Sequence, residues 1–442
     1  MLRKGKGILA ALLILSLAGS AFTGCASSKN SSTGTSSGAG SGASGSSAGG
    51  NSSSAKLELF STKSENLSIL KTLVEAYESK NSNVKITISS PGSSDSGTVL
   101  KTRLAKNDIP DIIAMGGNAT YTEFQSAGVL EDLSNESYVS SVQDSYKQMV
   151  YDVQEDKEKK LYGVPYATNA SGILYNEDIF QKNNINVPKT WDELIAVCKK
   201  LQSSGVQPFE YTFKDQWTSL CAWNSMAPDL ETANFLTDRH NGKTTFLATH
   251  KEVAQKYLEL MKYGQKDMVG TSYDDGNKAF ANGKAAMMIN GNWTIPEFKK
   301  TNKNMNVNLF ALPTSNDQSK NYVTSGVDVL LAVSNKSANV DAAKKFVEYM
   351  MQSDTVQKYI TDQFAFSAIK GVTQNDKSVA GVKEDIANGK VANFPDHYYP
   401  SSFDLQSITQ EFAKNAQQGM DETKNINNFL SKCDKEYDAA NK

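Results

Sequence analysis

The chain has 442 residues, 39% of them hydrophobic, and its 46 Lys and Arg against 48 Asp and Glu give a formal net charge of −2. Because the charges are dispersed and slightly acidic in balance, the composition argues against nucleic-acid binding and against a patch for anionic membranes. The length that remains after residues 1–55 is sufficient for two domains of ordinary size.

Residues 1–24 have the pattern of an export signal. Three basic residues before position 7 precede an apolar run at 8–19. That run is shorter than the roughly 20 residues that a membrane span needs, and the small residues Thr23 and Gly24 stand just before Cys25. We therefore expect residues 1–24 to be a cleaved signal peptide.

The segment Phe22-Thr23-Gly24-Cys25 resembles the lipobox of bacterial lipoproteins, in which the cysteine becomes the lipidated N-terminus; leucine is usual where Phe22 stands. An ordinary signal peptide cut elsewhere is the alternative. Residues 26–55 are almost entirely Ser, Gly, Ala, Thr and Asn, a composition that predicts a flexible tether. No later apolar run is long enough to span a membrane. We expect an extracytoplasmic protein that is anchored to the cell membrane by the lipid on Cys25.

Three further cysteines remain, and none has CxxC spacing. Cys198 shares a helical face with Leu194 and Leu201, and Cys433 lies on a similar apolar face, which predicts small buried core residues. A disulfide between Cys198 and Cys221 is an alternative that the sequence does not decide.

The body of the chain begins with alternating predicted strands and helices. Apolar residues recur with period 2 in the first two strands, the third strand is a short buried run, and helical spacing lies between them. The resulting order of strand, helix, strand, helix and strand favours a mainly parallel sheet that is covered on both faces. These elements are strand 56–60, helix 67–77, strand 84–88, helix 99–105, strand 111–115 and helix 124–133.

A second α/β series follows. Thr190 and Glu193 have the spacing of a capping box, in which both side chains satisfy free amides at a helix start. The predicted elements are strand 172–175, helices 193–201, 252–263 and 278–282, and strand 285–289. A third series consists of strand 329–333 and helices 342–351, 405–414 and 426–437.

Three segments together resemble one known family. Their sequences are IPDIIAMGG at 109–117, LYGVPY at 161–166 with PKTWDEL at 188–194, and FANGKAAMMINGNW at 280–293. In this order they look like the extracellular solute-binding proteins of ABC importers, of the carbohydrate-binding type that includes maltodextrin-binding protein. The likeness covers the chain from residue 56 to about residue 359.

The resemblance implies an α/β, periplasmic-binding-protein fold with two lobes joined by hinge crossings and a ligand enclosed between them. The N-terminal lobe would comprise residues 56–167 and 324–370, and the C-terminal lobe residues 168–323 and 371–442. Open α/β sheets bind ligands beyond the carboxyl ends of their strands, which agrees with this layout.

Aromatic residues are the first candidates for ligand contact. Trp293 follows a buried strand through a glycine-containing turn, and the resemblance implies that it stacks on sugar; core packing is the alternative. Trp217 and Trp223 lie in a segment that fits neither helix nor strand well, and we expect Trp217 to stack on ligand. Trp191, inside the capping box, is expected to be scaffold. The cluster around Phe394, with Tyr398 and Tyr399, is expected to be a packed loop rather than a third stacking surface.

Polar candidates follow predicted strands or the predicted crossings. The resemblance places contacts at Ser64 and Glu65, although a Glu at a helix start also has a dipole explanation. Asn118 stands where relatives have a carboxylate, so hydrogen bonding survives without charge assistance. Asn169 falls in the first crossing, and Tyr166 beside it either contacts ligand or packs the hinge.

Asp328, at the second crossing, either binds sugar hydroxyls or caps local amides.

Enzyme motifs are missing from the sequence. His240, His250 and His397 show no HExxH spacing, and neither a G-x-S-x-G elbow nor a P-loop is present. The adjacent pair Asp274 and Asp275 is explained by solvation or helix capping, although a surface glycoside hydrolase with two facing carboxylates stays an alternative. We expect no catalytic residues, no metal site and no cofactor.

The expected function is the extracytoplasmic binding of a carbohydrate, most simply an oligosaccharide, and its delivery by lobe closure to the membrane permease of an ABC importer. The expected partners are the sugar, the permease and the membrane through the lipid, and the expected state is a monomer. A ligand-sensing lipoprotein that serves a receptor or sensor kinase shares the fold and is the alternative.

Overall fold

The protein is described by a computed structural model that covers residues 54–92, 95–154, 159–232 and 234–441. The expected signal peptide, Cys25 and nearly all of the tether lie outside these described residues. Within them, no helix combines the length and the apolar character that crossing a membrane would require.

The strands are short and mostly buried. In chain order they are β1 Ala55–Ser61, β2 Val84–Ser89, β3 Ile112–Met115, β4 Val164–Thr168, β5 Ser171–Asn176, β6 Gln207–Phe209, β7 Ala285–Gly291, β8 Val307–Phe310, β9 Val323–Thr324, β10 Val327–Val333, β11 Phe366–Ser367 and β12 Val391–Ala392.

The α-helices lie between and after these strands. They are α1 Leu67–Lys80, α2 Ser96–Ala105, α3 Ala119–Ser126, α4 Asp144–Val153, α5 Glu177–Lys182, α6 Trp191–Ser203, α7 Leu220–Leu230, α8 Phe235–His240, α9 Phe246–Thr249, α10 Lys251–Met261, α11 Tyr273–Ala281, α12 Ile295–Thr301, α13 Val340–Met350, α14 Ser353–Gln363, α15 Ala380–Ala387, α16 Leu405–Gln417 and α17 Glu422–Ala440. Short 3₁₀ turns include Gln216–Ser219, Asn292–Thr294 and Pro395–Tyr398.

The first sheet has the strand order β11-β4-β10-β3-β1-β2. Strand β1 runs parallel to both β2 and β3, with Leu59 opposite Ile88 on one side and Ile112 on the other. Strand β10 returns antiparallel between β3 and β4, with Leu331 opposite Ala114 and Val164. The helices α1, α13 and α14 bury their apolar sides against this sheet.

The second sheet has the order β12-β9-β5-β7-β6, and β8 pairs with β5. Strand β5 is antiparallel to β7 and β8, whereas β6 is parallel to β7 and β12 is parallel to β9. The two-lobed α/β fold is therefore confirmed, but the expectation of mainly parallel sheets is wrong. The strands that return through the crossings enter each sheet in the opposite direction, which makes both sheets mixed.

Two of the chain crossings between the sheets lie side by side, and a third, longer connection runs from β11 to β12. Strand β4 of the first sheet passes through Asn169 and Ala170 into β5 of the second, and β9 passes through Ser325 and Gly326 into β10. The backbone NH of Asn169 donates to the Gly326 carbonyl at 3.3 Å, and the Gly326 NH donates to Asn169 Oδ1 at 3.0 Å. Short crossings of this kind are suited to hinge motion. The exact lobe boundaries given above remain predictions.

Two segments differ from their predicted structure. The helix expected over 124–133 ends at Ser126, because Gly128 adopts a left-handed φ of 64° and Leu130 bridges to Ser334 beside the end of β10. The segment that contains Trp223 is a helix, α7, rather than a loop. Its residues from Leu220 to Ala227 are buried on every side, so the sequence shows no amphipathic period.

The Thr190 half of the expected capping box is present at α6, whereas Glu193 bonds a neighbouring amide instead of the N-cap NH. The Glu193 backbone NH donates to Thr190 Oγ1 at 3.3 Å, and Glu193 Oε2 accepts from the Lys189 backbone NH at 2.7 Å. The glutamate thus reaches one residue before the N-cap. The three described cysteines, Cys198, Cys221 and Cys433, are free and buried in the core of the second lobe, as the helical-face argument predicts for the first and the last.

Glu210, which follows β6, makes folding stability depend on pH. The residue is 6% exposed, and burial raises the pKa of its carboxyl from 4.5 to about 7. The folded protein therefore binds a proton between about pH 4.5 and 7 that the unfolded chain has lost, so stability falls as the pH rises through this window. We expect the free energy of urea unfolding to fall by about 2–3 kcal/mol less between pH 5 and 8 in Glu210→Gln than in the wild type. Parallel pH profiles of the two proteins would contradict this.

Candidate ligand-binding cleft

A cavity of about 490 Å³ opens between the two sheets, beside the crossings. Its walls come from loops at the ends of strands and from the starts of helices, where backbone and side chains project toward a ligand. The first lobe contributes Thr62, Lys63, Glu65, Ser96, Gly97, Thr98, Lys101, Met115, Gly116, Asn118 and Thr120. The crossings and the second lobe contribute Asn169, Val327, Asp328, Trp217, Leu220, Cys221, Asn224, Trp293, Phe394, Asp396, His397 and Gln406.

Most of the candidates from the sequence meet in this cavity. The six that line it are Glu65, Asn118, Asn169, Trp217, Trp293 and Asp328. They are separated by up to 263 positions in the chain and come from both lobes. The structure brings them together, and their role as ligand contacts remains a prediction.

Two candidates lie elsewhere. Tyr166 is fully buried in the first-lobe core, where its ring packs edge-on against Tyr359 with a centroid distance of 4.9 Å. Its place on β4 turns the side chain into the core, so the hinge-packing alternative describes it and the contact prediction does not. Ser64 is exposed on the loop before α1 and is not part of the cavity wall, unlike its neighbours Lys63 and Glu65.

Trp293 is held at the cavity by the turn that follows β7. The side-chain oxygen of Asn292 accepts from the Ala170 backbone NH at 2.7 Å, which ties this turn to the first crossing. Gly291 lets the indole fold back over the chain, because a Cβ at that position would overlap the six-membered ring of Trp293. The Trp293 ring is half-buried, and its polar edge is turned inward. The indole Nε1 is buried and has no hydrogen-bond partner among the described residues.

The structure separates the two tryptophans that the sequence left together. Trp217 lines the cavity on a 3₁₀ turn, and its ring lies 5.0 Å from that of Tyr273. Trp223, one helical turn and a half further on, is fully buried between His250 and Phe429, with centroid distances of 5.6 and 5.0 Å. The choice of Trp217 over Trp223 as the cavity residue agrees with this placement.

Asn118 both caps a helix and lines the cavity. It is the N-cap of α3, and its Oδ1 accepts from the Thr120 backbone NH at 3.1 Å. Capping therefore uses the amide oxygen, and the NH₂ group is the part that can serve a ligand as a donor. A carboxylate at this position could cap the helix equally well but could only accept from a ligand, so the amide changes which sugar groups are suitable partners.

Lys63 is one of several cavity residues that the sequence analysis did not propose, and it is the one with the strongest electrostatic contacts. Its Nζ lies 2.9 Å from Asp328 Oδ1 and 3.3 Å from Glu65 Oε1. Burial by itself lowers the pKa of this lysine, but the two carboxylates outweigh burial and raise it above its ordinary value, so the ammonium is charged at neutral pH. A lysine on a loop is usually interpreted as a solvated surface residue. Only the fold shows that Lys63 faces two carboxylates.

The segment from Phe394 to His397 forms a further wall. The Phe394 ring stacks on the His397 ring at 5.0 Å with an interplanar angle of 24°, and it lies 6.4 Å from the Trp293 ring. Asp396 Oδ1 accepts from Asn224 Nδ2 at 2.9 Å. Burial lowers the pKa of His397 and raises that of Asp396. Phe394 thus lines the cavity, contrary to the expectation of a packed loop.

The rest of that aromatic cluster packs as expected. Tyr399 is buried in the second-lobe core, and Tyr398 is half-buried against the first-lobe residues that surround Phe124. Trp191 is likewise away from the cavity, with the Lys256 ammonium 4.1 Å from its ring centroid, as its scaffold role predicts. Among the described residues, no group of three or more His, Cys, Asp and Glu side chains is arranged to hold a metal ion.

Two lobes, two adjacent crossings and a cavity lined by indoles and polar side chains define a two-lobed binding protein. A profile of the bacterial extracellular solute-binding proteins matches residues 72–389. The multiple sugar-binding protein of Streptococcus mutans is 30% identical over 333 residues, which are 73% of this chain and 77% of that protein. The chain therefore belongs to the bacterial extracellular solute-binding proteins, which are carriers and not enzymes.

Two further similarities agree with this family. The melibiose/raffinose/stachyose-binding protein MelE of Bacillus subtilis is 23% identical over 355 residues, which are 77% of this chain and 76% of MelE. The solved structure of the solute-binding protein RafE in complex with raffinose superimposes with a TM-score of 0.74 at 25% identity, covering 86% of this chain and 99% of that chain.

Proposed function

We propose that this protein binds a neutral oligosaccharide outside the cytoplasm and delivers it to the permease of an ABC importer. The observation that carries the proposal is the joint placement of Trp217 and Trp293 with Glu65, Asn118 and Asp328 around one cavity. Flat indoles can cover the apolar C–H faces of sugar rings, while carboxylate and amide groups hydrogen-bond the hydroxyls. The volume of about 490 Å³ falls within the range of small-molecule sites.

The names of the relatives support an oligosaccharide as the ligand class. RafE is described with raffinose, and MelE is named for melibiose, raffinose and stachyose. These sugars carry no charge. The composition of the cavity wall agrees with an uncharged ligand, because the Lys63 ammonium already pairs with two of its carboxylates.

Closure of the lobes would couple binding to transport. The ligand-facing groups come from both lobes, so an oligosaccharide that contacts both stabilises the closed arrangement over the open one. The two adjacent crossings at Asn169 and Gly326 are where the backbone can absorb that motion. A permease could then distinguish loaded from empty protein, with ATP hydrolysed by a separate chain. The protein would act as a monomer.

A thermal-shift screen tests the proposal directly. Purified protein should melt at a higher temperature with raffinose, stachyose or melibiose than with amino acids or polyamines, because a ligand that binds only the folded state stabilises it. Released reducing ends should not exceed those of a buffer control. No shift with any sugar of a broad oligosaccharide panel would contradict the proposal, and a ligand-sensing role would be favoured if binding persisted without uptake in cells.

The lipid anchor is part of this proposal and has its own test. Cys25→Ser should remove the acylated residue, so most of the protein should move from the membrane fraction to the medium. Fractionation of cells with an antibody against the folded body measures the change. Ser36→Ala in the tether is the matched control and should leave the protein with the membrane. Continued membrane retention of the Cys25→Ser protein would contradict the anchor.

A further inference from the structure

Lys63 occupies an unusual position for a lysine, because its charged end points into the cleft rather than into solvent. Its side chain is 19% exposed, and the side chains of its partners Glu65 and Asp328 are 9% and 11% exposed. Two hydrogen bonds to its backbone hold the loop that carries this lysine. The Lys63 backbone NH donates to Ser61 Oγ at 3.2 Å, and its carbonyl accepts from Ser90 Oγ at 3.1 Å.

The lysine is connected to both crossings through Asp328. Asp328 Oδ1 accepts from Lys63 Nζ at 2.9 Å and from Asn169 Nδ2 at 3.0 Å. Asn169 in turn accepts from the Gly326 backbone NH through its own Oδ1. One carboxylate oxygen of Asp328 is therefore held between a first-lobe cation and the amide of the first crossing. Removing the cation would leave this partly buried carboxylate without its counter-ion.

Lys63 also faces the second lobe. Its Nζ lies 5.8 Å from the centroid of the Trp293 ring, within the range in which a cation is attracted to an indole face. The cation is thus placed where the carboxylates of one wall and the stacking indole of the other meet. A ligand in the cavity would lie beside it.

We propose that Lys63 is a positioning residue that sets the charge selectivity of the cleft, by neutralising Glu65 and Asp328 and repelling cationic sugars. This inference rests on the proposed oligosaccharide-binding function. With the lysine present, the two carboxylates can accept from hydroxyl groups without attracting an ammonium group. An amino sugar would bring a second positive charge close to Lys63, and like charges in a poorly solvated site are costly.

The test compares the Lys63→Met variant with the wild type on two matched ligands. The neutral probe is raffinose, and the cationic probe is raffinose whose galactose 6-hydroxyl is replaced by an amine. Calorimetry should show that raffinose binds the variant at least tenfold more weakly, because Asp328 is no longer held in place. The affinity ratio of amine to raffinose should rise at least tenfold. Lys63→Arg, which keeps the charge, should retain the wild-type preference.

Lys85→Met is the matched control, because Lys85 forms an ion pair with Glu78 at the same 2.9 Å but outside the cavity wall and with 68% exposure. It should leave the ratio unchanged. A Lys63→Met ratio within twofold of the wild type would overturn the inference, even if the variant were less stable. A wild type that binds no oligosaccharide would instead refute the proposed function, and a second measurement then decides the pairing.

That second measurement is a melting-temperature cycle that needs no ligand. Lys63→Met should lower the melting temperature because Asp328 is left partly buried without its counter-ion, and adding Asp328→Asn should restore most of the loss. The two changes would then be strongly non-additive. If the double variant instead loses the sum of the two single shifts, Lys63 does not neutralise Asp328 and the inference is wrong.

Discussion

Trp293→Ala should weaken raffinose binding at least tenfold while leaving the protein folded. The ring is half-buried at the edge of the cavity, so its removal takes away a stacking plate and little of the core. A tenfold loss corresponds to about 1.4 kcal/mol, within reach of one aromatic contact with a sugar face. Isothermal calorimetry on protein whose circular dichroism matches the wild type measures the change.

Two companion variants separate stacking from general damage. Trp293→Phe keeps an aromatic face and should recover most of the affinity. Gly291→Ala leaves the indole in the chain but places a Cβ where its six-membered ring lies, so the ring must move and the affinity should fall as in Trp293→Ala. Unchanged raffinose affinity in folded Trp293→Ala would refute the stacking role.

Trp223→Ala should lower the free energy of unfolding by about 3–5 kcal/mol, the usual range for deleting a large buried aromatic side chain. Trp223 is fully buried and packs on His250 and Phe429, so the substitution leaves a cavity between α7 and α17. Urea unfolding measures the loss.

The same substitution at Trp217 should have the opposite profile. Trp217 lines the ligand cavity and is only partly buried, so Trp217→Ala should reduce raffinose affinity about tenfold and cost less stability than Trp223→Ala. Equal losses of stability in the two variants, with no difference in binding, would contradict the division between a cavity tryptophan and a core tryptophan.

The buried salt bridge between Lys63 and Asp328 shows why stability and function must be measured separately in this cleft. Breaking a partly buried ion pair is destabilising because one charge is left behind, whatever the ligand does. The selectivity ratio is independent of that cost, since both raffinose and its amine derivative bind the same folded variant. A change in the ratio therefore reports on the ligand, and a change in melting temperature reports on the pair.

The sequence by itself determined the local elements and the family. Period-2 spacing located β1 and β2, helical spacing located α1, and a continuous apolar run located the strand predicted at 285–289, because each pattern lies within a few adjacent residues. The spacing of apolar residues did not predict α7, because this helix is buried on all sides from Leu220 to Ala227 and has no polar face. It also failed after Ser126, where a left-handed Gly128 and a pairing with Ser334 replace the helix.

The composition of the cleft was decided by tertiary structure. Trp217 and Trp223 are six positions apart and chemically identical, yet packing against α17 makes one a core residue and leaves the other at the cavity. Lys63 and Asp328 are 265 positions apart, and only the antiparallel return of β10 beside β3 brings their charges within 2.9 Å. Local sequence reports which face of an element is buried, whereas electrostatic pairs and cavity walls depend on which elements the fold places together.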